Sequence, residues 1–211
     1  MSQKRAPYAK TANRKRQIID AALQCFSEKG YTDATMEEIR TLAHSSYGSV
    51  YHHFKNKEQL AIAVYVEGIA DFQNGLVEAL EGGPEAEEGI RRVVEHHFSW
   101  VEANPAWARY LVLMRHADFM ATGENDLTLQ NKESYPALWA FIRRHIKAGA
   151  LRDLPPDIYA TLLIGPCQEF TQLWVSGRSS SSLETVKREI ASAAWRALRN
   201  PENATQNGGE P

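Results

Sequence analysis

The stretch from Thr35 to Lys57, TMEEIRTLAHSSYGSVYHHFKNK, constrains the fold more than any other part of the chain. Thr35 and Glu38 have the spacing of a capping box, in which each side chain satisfies a backbone N–H of the other at a helix start. Ile39 and Leu42 supply an apolar edge, and Ala43-His44-Ser45-Ser46 then breaks the pattern. Ser46 is placed to cap a second helix, on which Val50 and Phe54 lie four apart on one face. Tyr47, Gly48, Tyr51, His52 and Lys55 are left for the other faces, a set that can hydrogen-bond and contains no acid. The pattern predicts two short helices joined by a tight turn. The outward set of the second suits a DNA major groove, with its first residues at the base edges.

The flanks fit this reading. Residues 1–13 lack periodicity and carry Lys4, Arg5 and Lys10, which predicts a mobile basic arm of the kind that reaches a minor groove. Ile19, Ala22, Leu23 and Phe26 follow at i, i+3, i+4 and i+7, one apolar stripe for the short helices to pack on. Gly30 is placed to end that helix in a left-handed conformation, with Tyr31 closing back on Phe26. Asn56 and Gln59 again have capping-box spacing and open a long helix reaching about Leu80. Charge is uneven: residues 1–57 hold 10 Lys+Arg against 5 Asp+Glu, and residues 58–211 hold 14 against 21. A head of +5 on a body of −7 fits a phosphate contact confined to the N-terminal part.

The remainder reads as helix throughout, with no strand pattern and no internal repeat. Gly82-Gly83-Pro84 is a clear break, and helices are predicted over 85–103, 105–121, 129–150, 156–177 and 183–198. Thr122 to Thr128 is a polar loop, Gly165-Pro166 should kink its helix, and Asn200 to Pro211 has the composition of a disordered tail. Cys25 and Cys167 lie far apart in apolar contexts and do not resemble a disulfide framework. The histidines, among them His96-His97, His116 and His145, lack the spacing of a metal site, so no metal or cofactor is expected. No apolar run approaches the roughly 18 residues of a membrane span, and no signal-peptide core follows Lys4-Arg5, which predicts a cytoplasmic protein with no membrane partner.

Ile18 to Leu60 resembles the DNA-binding domain of TetR-type transcriptional repressors. The resemblance rests on Ala22-Leu23-Gln24-Cys25-Phe26-Ser27-Glu28-Lys29-Gly30-Tyr31, on Thr35 with Ile39, on Gly48-Ser49-Val50-Tyr51-His52-His53-Phe54, and on Lys57-Glu58-Gln59-Leu60. It departs from the family at Arg40, where a small residue is usual, and at His44-Ser45, where glycine and an apolar residue are usual. The fold so implied is all-α. It has a three-helix helix-turn-helix domain over 1–57, a helical effector-binding and dimerisation domain over 58–199, and a tail over 200–211.

The expected DNA-binding residues are Thr35, Ser46, Tyr47, Gly48, Tyr51, His52 and Lys57. Tyr47 and Gly48 are placed for base edges, with Gly48 letting the backbone approach closely. By the resemblance, Thr35, Tyr51, His52 and Lys57 look like phosphate contacts, which set register without reading sequence. Bodies in this family usually enclose a pocket for a small, mostly apolar effector. Trp100, Trp107, Tyr110, Met114, Trp139, Phe170 and Trp174 are the candidates to line it, although aromatics at helical spacing also build ordinary cores.

A homodimer is expected through the last two long helices. Ile158, Leu162, Phe170, Leu173 and Trp174 on one and Val186, Ile190, Ala194 and Leu198 on the other would supply the apolar faces. The functional expectation is a repressor that binds a palindromic duplex operator and is released by a small molecule. The alternative is a structural or cell-division regulator on the same fold with no ligand switch. An enzyme is not expected, since no sequence motif supplies a nucleophile, a base and an orienting group.

Overall fold

A computed structural model of the 211-residue chain describes residues 5–115 and 136–201, with side chains from residue 13 onward. Its helices are α1 (Arg5–Asp33), α2 (Met36–Leu42), α3 (Tyr47–His53), α4 (Lys57–Ala79), α5 (Ala86–Ala103), α6 (Pro105–Met114) and α7 (Pro136–Lys147). Then come α8 (Pro156–Tyr159), a π-helical turn (Ala160–Ile164), α9 (Gly165–Val175) and α10 (Leu183–Leu198). The described residues contain no strand, only the isolated antiparallel bridge between Leu151 and Arg199. The Thr122–Thr128 loop, the predicted helix start at Leu129, His116 and the tail beyond residue 201 lie outside the described residues.

The chain divides into two compact units, 1–69 with 106–127, and 70–105 with 128–211. The division falls inside α4 rather than after the last motif residue at 57. Leu60, Ala61 and Val64 explain why, because all three are fully buried in the first unit. That unit also takes in α6: the Tyr110 hydroxyl donates to Ala61 O at 2.8 Å, and its ring stacks on Phe26 with centroids 5.6 Å apart.

Two expectations about α1 change. The helix begins at Arg5, so residues 5–13 are not an irregular arm. Ala6, Ala9 and Ala12 are strong helix formers needing no apolar face, and Pro7 sits in the first turn, where no N–H is required. Gly30 does interrupt the helix at positive φ, but with φ 82 and ψ 163 it is extended in ψ rather than left-handed helical, and one further turn follows. The apolar closure is present, with the Tyr31 and Phe26 rings 5.8 Å apart.

In the second unit, Ile90, Val93, Val94 and Phe98 of α5 meet Leu138, Phe141 and Ile142 of α7 and Val186, Ala191, Ala194 and Leu198 of α10 in one core. Pro136 takes the first position of α7, where its ring suits the helix. The segment after α7 is tied to the end of α10 by Arg152 N–H to Leu198 O and Asn200 N–H to Ala150 O, both 2.9 Å. Gly75 on α4 is set by close approach: a Cβ there would stand 2.4 Å from His96 Cε1, and the His96 ring lies 2.8 Å from Phe72 O.

The kink expected at Gly165-Pro166 takes the form of the π-helical turn before it, in which Gly165 N–H reaches Ala160 O. Pro166 has no N–H for Leu162 O, so the α-helical ladder cannot run straight through.

The expected dimer faces also need correction. Val186, Ala194 and Leu198 are 7%, 3% and 0% exposed within a single chain, so α10 spends its stripe on its own core. Ile158 remains exposed, and Leu162, Phe170, Leu173 and Trp174 are half-buried. Among the described residues no helix is long and apolar enough to cross a membrane, and no cluster of three or more His, Cys, Asp or Glu could hold a metal. Both cysteines are buried and unpaired with each other.

Candidate nucleic-acid interface

The helix-turn-helix is built from its caps outward. Thr35 Oγ1 accepts from Glu38 N–H at 3.2 Å, while Thr35 N–H donates to Glu38 Oε2 at 2.9 Å, so the capping box is complete. Ser46 caps α3 by accepting from Ser49 N–H at 3.2 Å. Asn56 caps α4 by accepting from Gln59 N–H at 2.8 Å, and Gln59 reaches back to Lys55 N–H at 3.1 Å. These bonds satisfy backbone donors that every helix start leaves open.

The turn between α2 and α3 is held by residues that depart from the family pattern. His44 adopts φ 48, the left-handed conformation that usually falls to glycine. Arg40 braces it by donating from Nη1 to Ser45 O at 3.1 Å, and is itself fixed by Glu37, whose Oε2 lies 2.9 Å from Arg40 Nε. The carboxylate of Glu37 is held below its ordinary pKa by the hydrogen bond from Arg40. Arg14 of α1 also points a guanidinium at His44 O, 3.4 Å away. Sequence reasoning flagged Arg40 as foreign and missed that it is the brace.

On α3, Val50 and Phe54 are buried at 0% and 3% exposure, while Tyr47 stands 64% exposed. Gly48, Tyr51 and His52 are exposed beside it. The Tyr47 and Tyr51 rings stack at 4.4 Å, which makes one aromatic ridge on the outer face. A Cβ on Gly48 would meet no described atom within 4 Å, so packing inside the chain does not require glycine there. His53, half-buried behind His52, is kept at a lowered pKa by burial, then by His52 and Lys15.

Two of the expected DNA contacts make hydrogen bonds within the protein. Lys57 Nζ donates to the carbonyls of Tyr31, Thr32 and Ala34 at 2.8, 3.0 and 3.0 Å and sits 4.6 Å over the Tyr31 ring. An ammonium group has three protons, and all three are given to the end of α1. Thr35 likewise gives its hydroxyl proton to Glu38 Oε2 at 2.9 Å. That carboxylate has its pKa lowered to about 2 by hydrogen bonds from Lys29 first and Thr35 second, so it is charged at neutral pH and does not favour a phosphate nearby. Lys57 and Thr35 thus help hold α4 and α2 in place, while Ser46, Tyr47, Gly48, Tyr51 and His52 are exposed on and beside the start of α3.

The seven expected pocket residues are divided between the two units. Trp107, Tyr110 and Met114 fall in the first unit, all buried, with Tyr110 in the α1/α4 core and Trp107 so close to α4 that a Cβ on Gly68 would meet its ring at 2.5 Å. Trp100, Trp139, Phe170 and Trp174 fall in the second. There Trp100 Nε1 donates to Asp71 at 2.8 Å, Trp139 lies edge-on to Tyr159 at 6.2 Å, and Phe170 edge-on to Phe98 at 5.8 Å.

A profile of the bacterial regulatory proteins of the tetR family matches residues 18–64, the span from α1 into α4. The fatty acid metabolism regulator protein of Bacillus subtilis is 33% identical over 203 residues, covering 95% of this chain and 100% of that protein. The chain belongs to the TetR family. Its fold is shared with a TetR family transcription regulator from Marinobacter aquaeolei VT8, at TM-score 0.78 and 18% identity over 92% of this chain and 99% of that one. It is shared too with the transcriptional regulator FadR from Bacillus subtilis in complex with stearoyl-CoA, at TM-score 0.74 and 22% identity over 85% and 96%.

For a TetR-family head, His44 is the position where reversion to the family pattern should help. His44→Gly is expected to raise stability by about 0.5–1 kcal/mol, since relief of left-handed strain of about 1–2 kcal/mol outweighs the added freedom of glycine in the unfolded chain. Operator affinity should stay the same, because the exposed imidazole is not part of the α3 face. Thermal melting checks this, and an unchanged or lower midpoint would mean that the turn is not strained.

Proposed function

We propose that this TetR-family protein is a homodimeric repressor of fatty-acid metabolism genes, seated on a palindromic operator through α3 and released by a long-chain acyl-CoA. The observation that carries the DNA half is the sorting of α3: Val50 and Phe54 inward, Tyr47, Gly48, Tyr51 and His52 outward. Support for the effector half comes from the full-length similarity to the Bacillus subtilis fatty acid metabolism regulator and from the shared fold with a FadR bound to stearoyl-CoA. Ile158 with Leu162, Phe170, Leu173 and Trp174 is the apolar surface left for a second copy, and a dimer would set two α3 helices for half-sites about 34–36 Å apart, or a multiple of this.

Release must work as a population shift. The acyl-CoA binds better to a conformation in which the two heads are wrongly spaced, so effector and operator oppose each other reciprocally. An element common to both units is α4, one helix that contributes its first residues to the head and its last to the body. The test is to select an operator from random duplexes and then titrate the complex with stearoyl-CoA or with CoA alone. Stearoyl-CoA should lower operator affinity about 5–150-fold, the effect of a 1–3 kcal/mol coupling, and CoA should not. If stearoyl-CoA quenches the tryptophans yet leaves operator affinity unchanged, the regulator without a ligand switch becomes the better reading.

A further inference from the structure

α3 carries none of the side chains that grip a base through two hydrogen bonds. Its sequence, Tyr47-Gly48-Ser49-Val50-Tyr51-His52-His53, contains no arginine, lysine, asparagine or glutamine. Those four residue types are the ones that pair bidentately with guanine or adenine in the major groove. Three nearby side chains of those types are engaged within the chain: Arg40 with Glu37 and Ser45 O, Lys57 with the end of α1, and Asn56 with Gln59 N–H. The Ser46 hydroxyl accepts from Ser49 N–H as the cap of α3. Readout by α3 is therefore left to single hydrogen bonds and to apolar contact.

The apolar surface available for that contact is one ring. Tyr47 is 64% exposed, more than any other large apolar side chain among the described residues. It stands four positions before Tyr51, one turn of helix, and the two rings stack with centroids 4.4 Å apart and planes 30° from parallel. A hydrogen bond with Tyr47 also holds the Tyr51 phenol above its ordinary pKa. Tyr51 thus backs one side of the Tyr47 ring, and the exposure of Tyr47 leaves the rest of it open. Gly48 beside it adds no side chain that would keep a partner at a distance. A ring already held in place gives up little rotamer freedom when a partner covers it.

We infer that Tyr47 is a thymine reader, its stacked ring packing against the C5-methyl group of one thymine in each operator half-site. This rests on the proposed seating of a dimer on its operator through α3, and it names the base feature that the helix reads. Of the four bases only thymine presents a methyl group in the major groove, and ring carbons have no hydrogen bond to offer the N7 and O6 acceptors of guanine. Covering one methyl is worth about fourfold in affinity, and two half-sites together about fifteenfold. A 5-methylcytosine at the same position presents the same methyl and is bound more tightly than cytosine there.

The test selects an operator from random duplexes with the full-length protein, then replaces its thymines by deoxyuridine, which lacks only the methyl, one position at a time in both half-sites. For wild type at least one such pair of replacements should cost about fifteenfold in affinity. Tyr47→Phe keeps the ring and its stack on Tyr51 and should show the same cost. Tyr47→Ala removes the ring and should bind the thymine and uracil operators equally. No thymine whose methyl matters, an equal cost in Tyr47→Ala, or a cost that disappears in Tyr47→Phe would each overturn the contact. The two readings fail differently. A selection that yields no preferred sequence removes α3 as a base reader altogether, whereas a preferred sequence indifferent to uracil leaves α3 seated and overturns only the contact between ring and methyl.

Discussion

Gly48→Leu is expected to cost about 5–150-fold in operator affinity while leaving the protein as stable as wild type or more so. The stability half follows from local physics. Gly48 lies in the first turn of α3, where a Cβ would meet no described atom, and glycine in a helix is worse than other residues by up to about 1 kcal/mol. The affinity half follows from position. Gly48 sits between Tyr47 and the exposed face of Tyr51, where the backbone can come nearest to base edges, and a leucine there would displace contacts worth about 1–3 kcal/mol per base pair. Operator binding and thermal melting are to be measured on the same preparation. A variant that melts lower and loses affinity in proportion would show that Gly48 is needed for the fold, and the proposed contact at this residue would be withdrawn.

Lys57→Met should act in the opposite way, destabilising the head. Methionine keeps the stem but leaves the carbonyls of Tyr31, Thr32 and Ala34 without the ammonium that holds all three. Hydrogen bonds to a charged group are worth more than neutral ones, and this one is partly open to solvent, so a loss of about 2–3 kcal/mol is expected. For a chain of this size that corresponds to roughly 5–10 °C in the melting midpoint. Because the ammonium is already spent within the protein, the dependence of operator affinity on salt should keep its slope at temperatures where the variant is folded. A slope reduced by about one phosphate would return Lys57 to the DNA contacts.

Most helix positions, the caps at Thr35, Ser46 and Asn56 and the burial pattern of α3 were legible in the residues alone, whereas the start of α1 at Arg5 was not. The reason is that these are set by partners three or four residues away: Thr35 with Glu38, Ser46 with Ser49, Asn56 with Gln59, Val50 with Phe54. Both helical bounds of α10 and the break at Gly30 were legible for the same reason. What a side chain does once the helices pack is decided by residues distant in sequence. Lys57 meets Tyr31 O across 26 positions and becomes a clamp instead of a phosphate contact. Tyr110 meets Ala61 O across 49 and joins the head core instead of a body pocket. His97 meets Thr171 across 74 and is drawn into the body core. A periodicity says which face is apolar, and only the tertiary structure says whether that face is spent on the chain itself, as on α10, or left over for another molecule.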